Sequence, residues 1–292
     1  MNRKLEIFFR RLSATRFSGV LSPLSKGLME LQRHFFQLKW KLQKAPMPTL
    51  EDIALMQENV TFIYKSFQRQ RLAKELYFNI QKYYPGVQVI VADDSEKPLR
   101  IKGDHIQIIQ LPFNSGISYG INCALEQVKT PYVIRMDDDR LITPFTNFHG
   151  QLRFLMEHSE VDLAAVSYIS LPRCPTLAQA AAPYYAQRME NAPLPLKIPH
   201  MTWLDANHVV LAKPPNVFVA HTEAIRRVGY DNNIRMIDHN EFFFRAAGVL
   251  VSVLDPTAYT LHRHDMFDTG YKKFRNDTLG DALYIRRKHM KR

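Results

Sequence analysis

Two acidic clusters stand where short apolar runs end: Asp93-Asp94 follows Val87–Ala92, and Asp137-Asp138-Asp139 follows Pro131–Met136. An aspartate that closes a strand is often only a turn former. Three in succession carry more information, because packed like charges repel and a bound divalent cation relieves that cost. Oxygen ligands, with phosphate oxygens in the remaining positions, suit Mg²⁺ or Mn²⁺. Other chemistries find less support. No Gly-x-Gly-x-x-Gly follows the first strand run and no Gly-Lys-Ser/Thr marks a P-loop. Serine-hydrolase chemistry is likewise not expected. His221, His239, His262 and His264 are spaced too irregularly for a zinc-protease motif.

The elements that must position these carboxylates alternate along the chain. Val60–Tyr64 reads as a short strand, and Leu72, Leu76, Ile80 and Tyr83 share one helical face before Pro85-Gly86 breaks the pattern. Strands are predicted at Val87–Ala92, Ile106–Leu111 and Pro131–Met136, with a helix between the last two whose Ile117, Ile121, Ala124, Leu125 and Val128 face inward. Strands alternating with helices argue for a mostly parallel α/β sheet. In such sheets ligands bind outside the carboxyl ends of the strands, so the two acidic clusters are expected to meet in one crevice.

The chain has 292 residues, 46% hydrophobic and 23% charged, which suits a soluble globular protein rather than a fibrous or disordered one. No uncharged apolar run approaches the roughly 18 residues that cross a bilayer. Arg10 and Arg11 interrupt the one early apolar stretch, Ile7-Phe8-Phe9, so no signal peptide is read. Two cysteines, Cys123 and Cys174, exclude a disulfide framework, and a cytoplasmic setting is expected. The net charge of +11 is terminal: residues 1–46 hold ten Lys/Arg against two Glu, and 270–292 hold eight against two Asp. A nucleic-acid groove across the fold is therefore disfavoured, while docking on an anionic surface is favoured. Leu28, Leu31, Phe35, Leu38 and Leu42 fall on one helical face. Such a helix suits a membrane interface, packing against the chain's own catalytic domain, or a dimer partner. Residues 45–58, with Pro46 and Pro48, read as a linker.

Several segments in order over about 60–265 resemble the β-1,4-N-acetylgalactosaminyltransferases of the ganglioside-synthase type and their bacterial relatives. They are Val60-Thr61 through Phe67, Tyr84-Pro85 through Asp93-Asp94-Ser95-Glu96-Lys97-Pro98, and Pro112-Phe113 through Gly116 and Asn122. The series continues with Tyr132-Val133 through Asp139, Asn216-Val217-Phe218, Val228-Gly229-Tyr230-Asp231 and His239-Asn240-Glu241-Phe242-Phe243. The resemblance implies a GT-A fold, a Rossmann-like α/β sheet with flanking helices, over residues 59–269. A basic helical extension and linker (1–58) would precede it and a basic tail (270–292) would follow. It further implies an inverting transferase that uses a UDP-sugar, UDP-N-acetylgalactosamine first, with Mn²⁺ or Mg²⁺. The acceptor would be a glycan or glycolipid of a bacterial surface polysaccharide, met at the inner face of the cytoplasmic membrane.

The resemblance also implies roles. Asp93, with Asp94 nearby, receives the uracil and ribose. Asp139 is the direct metal ligand and Asp137 acts through water, while Asp138 orients the turn or contacts the sugar. His262 is a later metal or phosphate ligand, with His264 its close rival. Glu241 matches the general base that removes the acceptor proton, and Asp238, three residues earlier, is the alternative. The same pair also reads as a helix-capping arrangement. Apart from the resemblance, Lys65 and Arg69 read as contacts to the nucleotide or diphosphate or as surface cations, Asn216 as part of the donor pocket or a turn residue, and Trp203 as a stack for an acceptor sugar or a buried anchor. Proline-rich residues 170–215 are expected to form an acceptor lid, with a short helix at Ala178–Ala182. Two other classes compete: a nucleotidyl or phosphoryl transferase using the same carboxylates, and an inactive scaffold docked on membranes by its basic ends.

Overall fold

The computed structural model describes residues 18–172, 192–263, 268, 271, 273–274 and 278–289. His264, Cys174 and the helix expected at 178–182 lie outside the described residues. The expected strand run is present: β1 (Val60–Ser66), β2 (Gln88–Asp93), β3 (Ile106–Gln110) and β4 (Tyr132–Asp137). They pair in parallel in the order β3-β2-β1-β4. The sheet then turns mixed. Strand β8 (Phe218–His221) runs antiparallel between β4 and β6 (Leu163–Leu171), and β9 (Ser252–Arg263) lies parallel to β6. Two short strands, β5 (Arg140–Leu141) and β7 (Val209–Val210), pair antiparallel with β9.

The two-residue period of the strands decides which side chains meet which helices. Phe62, Tyr64, Ile134 and Met136 line one face, against α2 (Leu50–Asn59), α3 (Gln70–Tyr83) and α5 (Phe148–Glu157) through Met56, Leu76, Ile80, Phe148 and Leu152. Ile63, Ala92 and Val133 line the other, against α4 (Ile117–Gln127), α6 (Thr222–Val228) and α7 (Asp238–Ala246). Burial on both faces explains why β1, β2 and β4 read as nearly continuous apolar runs. A third apolar group joins α1 (Ser18–Leu42), through Met29, Phe36 and Trp40, to Leu141, Leu171 and Leu261.

The linker expected at 45–58 is instead largely helix. Thr49 caps α2, its hydroxyl accepting from the Asp52 amide at 3.2 Å while the Asp52 carboxylate accepts from the Thr49 amide at 2.8 Å. Pro46 and Pro48 lie between α1 and this cap, and Met56 is fully buried. The prolines thus mark one sharp connection, not an extended linker. The basic C-terminal segment contributes α8 (Leu279–His289).

Candidate functional site

Both acidic clusters reach the same edge of the sheet. Register sets Ser66 of β1 beside Asp93 of β2, and Lys65 beside Asp137 of β4. Strands β1 and β4 are neighbours although β2 and β3 intervene in sequence, so the clusters flank the point where strand order reverses. That is where open α/β sheets form their ligand crevice. The turn after Asp137 is held from the far side of the sheet: the Arg263 amide donates to the Asp139 carbonyl at 2.9 Å, and Arg140 lies opposite His262 in the β5–β9 ladder.

Four arginines surround the acidic turn. Arg69 pairs with Asp138 and, at 3.1 Å, with Asp139, while its guanidinium lies 4.1 Å from the centre of the Tyr271 ring. Arg135, buried in β4, donates to Asp137 at 2.8 Å, to the Asn216 carbonyl at 2.7 Å and to Asp238 at 3.2 Å. Arg140 stands 3.9 Å from Asp137 and over the Tyr168 ring, and Arg263 pairs with Glu75. The repulsion within the acidic turn, which from sequence pointed to a cation, is therefore already offset by protein charge. Arg135 and Arg140 were missed in the sequence, because neither an arginine inside an apolar run nor one just after an acidic turn shows where its charge is satisfied.

A divalent cation nonetheless has fitting ligands. Asp139 Oδ1 is buried without a hydrogen bond among the described residues, 3.6 Å from His262 Nε2. Burial alone would raise the Asp139 carboxyl, but the His262 ring and the Arg69 guanidinium hold it well below the usual carboxylate range. Among the described residues no group of three or more His, Cys, Asp or Glu could hold a metal by itself. Asp139 and His262 would supply an oxygen and a nitrogen, and donor oxygens would have to complete the shell.

Asp93 and Asp94 are both fully buried and differ in what holds them. Asp93 is occupied by its own loop, accepting from the Ser95 hydroxyl at 2.6 Å and the Leu99 amide at 2.7 Å. Asp94 pairs with Lys65 at 2.5 Å and accepts from the Gly116 amide at 3.1 Å. Gly116, at φ 101°, opens α4 with its Cα facing Arg235, where an added Cβ would lie 3.0 Å from the Arg235 Cα. Glycine suits both the backbone angle and the contact. The side chains of Lys65 and Asp94 are 7% and 0% exposed, so Lys65→Met strands a buried carboxylate. It should destabilise the fold by about 3 kcal/mol, read from the midpoint of urea unfolding.

The two candidate bases sit on α7 in different company. Asp238 shares Arg135 with Asp137 and so belongs to the ion network of the acidic turn. Glu241 faces α8: it pairs with Arg245 at 2.6 Å, Lys288 at 2.8 Å and His289 at 3.2 Å. Burial would raise its carboxyl, but hydrogen bonds from Arg245 and Lys288 pull it below the usual range. The capping arrangement read at Asp238 and Glu241 is not formed, since the N-cap is Ile237 and carries no side-chain cap. The preceding turn is held from α8, where the Asp281 carboxylate accepts from the amides of Arg235, Met236 and Ile237 at 2.7–3.2 Å.

His239 adds a pH dependence. Its Nε2 donates to the Pro214 carbonyl at 2.9 Å, and burial, with Lys213 nearby, pushes the ring's pKa from 6.5 down to about 3. Above the unfolded value both states are neutral. Below it the unfolded chain takes up a proton that the folded chain refuses, so stability falls until the folded value is reached. The expected loss between pH 7 and pH 5 is about 2 kcal/mol, and His239→Gln should remove that part of the slope in denaturant melts.

Asn216 lies level with this network, its side-chain oxygen buried without a hydrogen bond. Trp203 is 48% exposed and bridges to Val209, so it is a surface ring rather than a buried anchor. Cys123 packs partly buried beside the α4 core. Contrary to the reading of the sequence, Gly116-Ile117-Ser118-Tyr119-Gly120 does fit Gly-x-Ser-x-Gly, so the argument against serine hydrolysis is a structural one. Ser118 is fully buried and, among the described residues, its hydroxyl has no hydrogen-bond partner and no base to activate it.

Comparison with known proteins identifies the family and the fold. The model of "Glycosyl transferase family 2" matches residues 60–205. The chain is 34% identical over 257 residues to mouse beta-1,4 N-acetylgalactosaminyltransferase 2, covering 85% of this chain and 48% of that protein. It is 31% identical over 205 residues to rat beta-1,4 N-acetylgalactosaminyltransferase 1, covering 65% and 36%. The chain thus spans half or less of the length of these curated relatives. Among solved structures, Staphylococcus aureus TarS 1–349 in complex with UDP-GlcNAc superposes with a TM-score of 0.51 at 15% identity, over 72% of this chain and 61% of that one. The mannosyltransferase PcManGT from Pyrobaculum calidifontis, in complex with GDP-Man and Mn²⁺, gives 0.51 at 17% identity, over 92% and 75%. Both support the GT-A fold.

Proposed function

The chain belongs to glycosyl transferase family 2, and from that premise we propose that it transfers N-acetylgalactosamine from UDP-N-acetylgalactosamine to a glycan hydroxyl with inversion. The observation that carries this reading is the Asp137–Arg135–Asp238 bridge, which ties the acidic turn of β4 to the first residue of α7. In this reading the donor-binding turn and the candidate base are held together by one buried guanidinium. The names of the similar proteins support this choice of sugar.

In this proposal Asp93 and Asp94 shape the nucleoside end of the crevice, with Lys65 holding Asp94 in place, and Asn216 lines the donor pocket. Asp139 and His262 would hold Mn²⁺ or Mg²⁺, with Asp137 in support; a bound cation supplies Lewis-acid stabilisation of the departing diphosphate. Asp138 orients Arg69 and the turn. Asp238 takes the base role: the acceptor oxygen forms a bond to the anomeric carbon, the bond from that carbon to the diphosphate breaks, and the acceptor proton passes to the Asp238 carboxylate. We favour Asp238 over Glu241, the first candidate read from sequence, because Glu241 already answers three basic side chains. Glu241 instead fixes α8 against α7. The acceptor is proposed to be a bacterial surface glycan, handled at the inner face of the cytoplasmic membrane.

Release of UDP from a panel of UDP-sugars, with oligosaccharide acceptors and Mn²⁺, tests the reading. UDP-N-acetylgalactosamine should turn over fastest, and chelation should slow it. Cleavage of nucleoside triphosphates without turnover of any UDP-sugar would support a nucleotidyl or phosphoryl transferase.

A further inference from the structure

Helix α1 is fixed to the protein on one side and bare on another. Met29 and Trp40 are buried and Phe36 packs with them against Leu141, Leu171 and Leu261. Leu24, Leu28, Leu31, Phe35, Leu38 and Leu42 are 45–75% exposed. Their spacings of four and three residues keep them in one line, about 27 Å long at the helical rise. Soluble surfaces rarely carry a continuous line of large apolar side chains without a partner.

We propose that this line docks on an anionic lipid bilayer, lying in the interface with its apolar side chains among the acyl chains. Charge selects this occupant over a second copy. The helix carries Lys26, Arg33, Lys39 and Lys41 against one acid, Glu30, which is already paired with Arg33 at 2.6 Å. Lys39 and Lys41 are exposed beside Leu38 and Leu42, and residues 1–17 add five Lys/Arg against one Glu in the sequence. Two such helices face to face would oppose their cations. Anionic headgroups would neutralise them at the depth where lysine stems reach past an immersed apolar face. The helix is also rigidly linked to the candidate site. Leu141 and Leu261, which it covers, are chain neighbours of Arg140 and His262. Docking would therefore hold the acidic turn at a fixed height above the lipid, independently of which sugar is transferred.

The test is vesicle flotation of the full chain with phosphatidylcholine alone and with about 30% phosphatidylglycerol. The combined variant Leu31→Ser, Phe35→Ser, Leu38→Ser removes the line, and Lys39→Glu with Lys41→Glu reverses its flanking charge. Sedimentation gives the oligomeric state, and UDP binding reports an intact fold. The wild type should float with the anionic vesicles. The serine variant should bind them at least about tenfold more weakly with UDP binding unchanged, and the glutamate variant should lose the preference for anionic lipid. Failure of the wild type to float, or flotation of the serine variant equal to wild type, would overturn the proposal. So would a wild-type dimer that the serine variant dissolves. Loss of sugar transfer with flotation intact would instead count against the catalytic reading alone.

Discussion

Asp139→Asn should lower sugar transfer by about 10³-fold while leaving the folded state in place. The substitution keeps the side chain's volume and removes the one charge that His262 and Arg69 both face. Asp139 is held anionic well below the usual carboxylate range, so its neutral amide removes a charge that the protein maintains at any physiological pH. Arg69 retains Asp138 as a partner, which limits the structural cost. The measurement is the initial rate of UDP release at saturating donor across an Mn²⁺ titration, with a thermal melt alongside. A variant that keeps more than about a tenth of the activity would remove Asp139 from the donor site.

Asp238→Asn should reduce kcat by about 10²- to 10⁴-fold with little change in KM for the donor, because the proton is taken from the acceptor and not from the UDP-sugar. Glu241→Gln is expected to differ in kind. Its carboxylate is 1% exposed between Arg245 and Lys288, so the amide removes the charge both face, and Lys288 keeps only Asp231 and Arg245 only backbone carbonyls. The expected cost is about 3 kcal/mol of stability, with weakened docking of α8. Kinetics and urea unfolding on both variants separate the roles. A Glu241→Gln protein with wild-type stability and no transfer would return the base role to Glu241.

Much of the donor half of the fold is legible because its signals are local. The apolar runs of Val60–Ser66 and Gln88–Asp93, and the helical spacing of Ile117, Ile121 and Ala124, each lie within a dozen residues. Aspartates at the ends of β2 and β4 announce themselves by position, since parallel strands deliver their carboxyl ends to one edge. Helix α2 was hidden by Pro46 and Pro48, which look like a linker until Thr49 and Asp52 are recognised as a capping box. The partners of Asp238 and Glu241 could not be read at all. Arg135 lies 103 residues from Asp238 and His289 lies 48 from Glu241, and only the folded sheet brings them together. The antiparallel return of β8 between β4 and β6 has the same origin, because a four-residue strand carries no topological information by itself.

Calorimetric titration of UDP into the full chain, with and without Mn²⁺ and repeated on Asp139→Asn, tests the central claim most directly. The geometry predicts binding that depends on the cation and is lost in the variant, because the acidic turn and donor oxygens together must complete the coordination shell. No binding of UDP with Mn²⁺ present, or equal binding by wild type and variant, would contradict a donor site at the ends of β1 and β4.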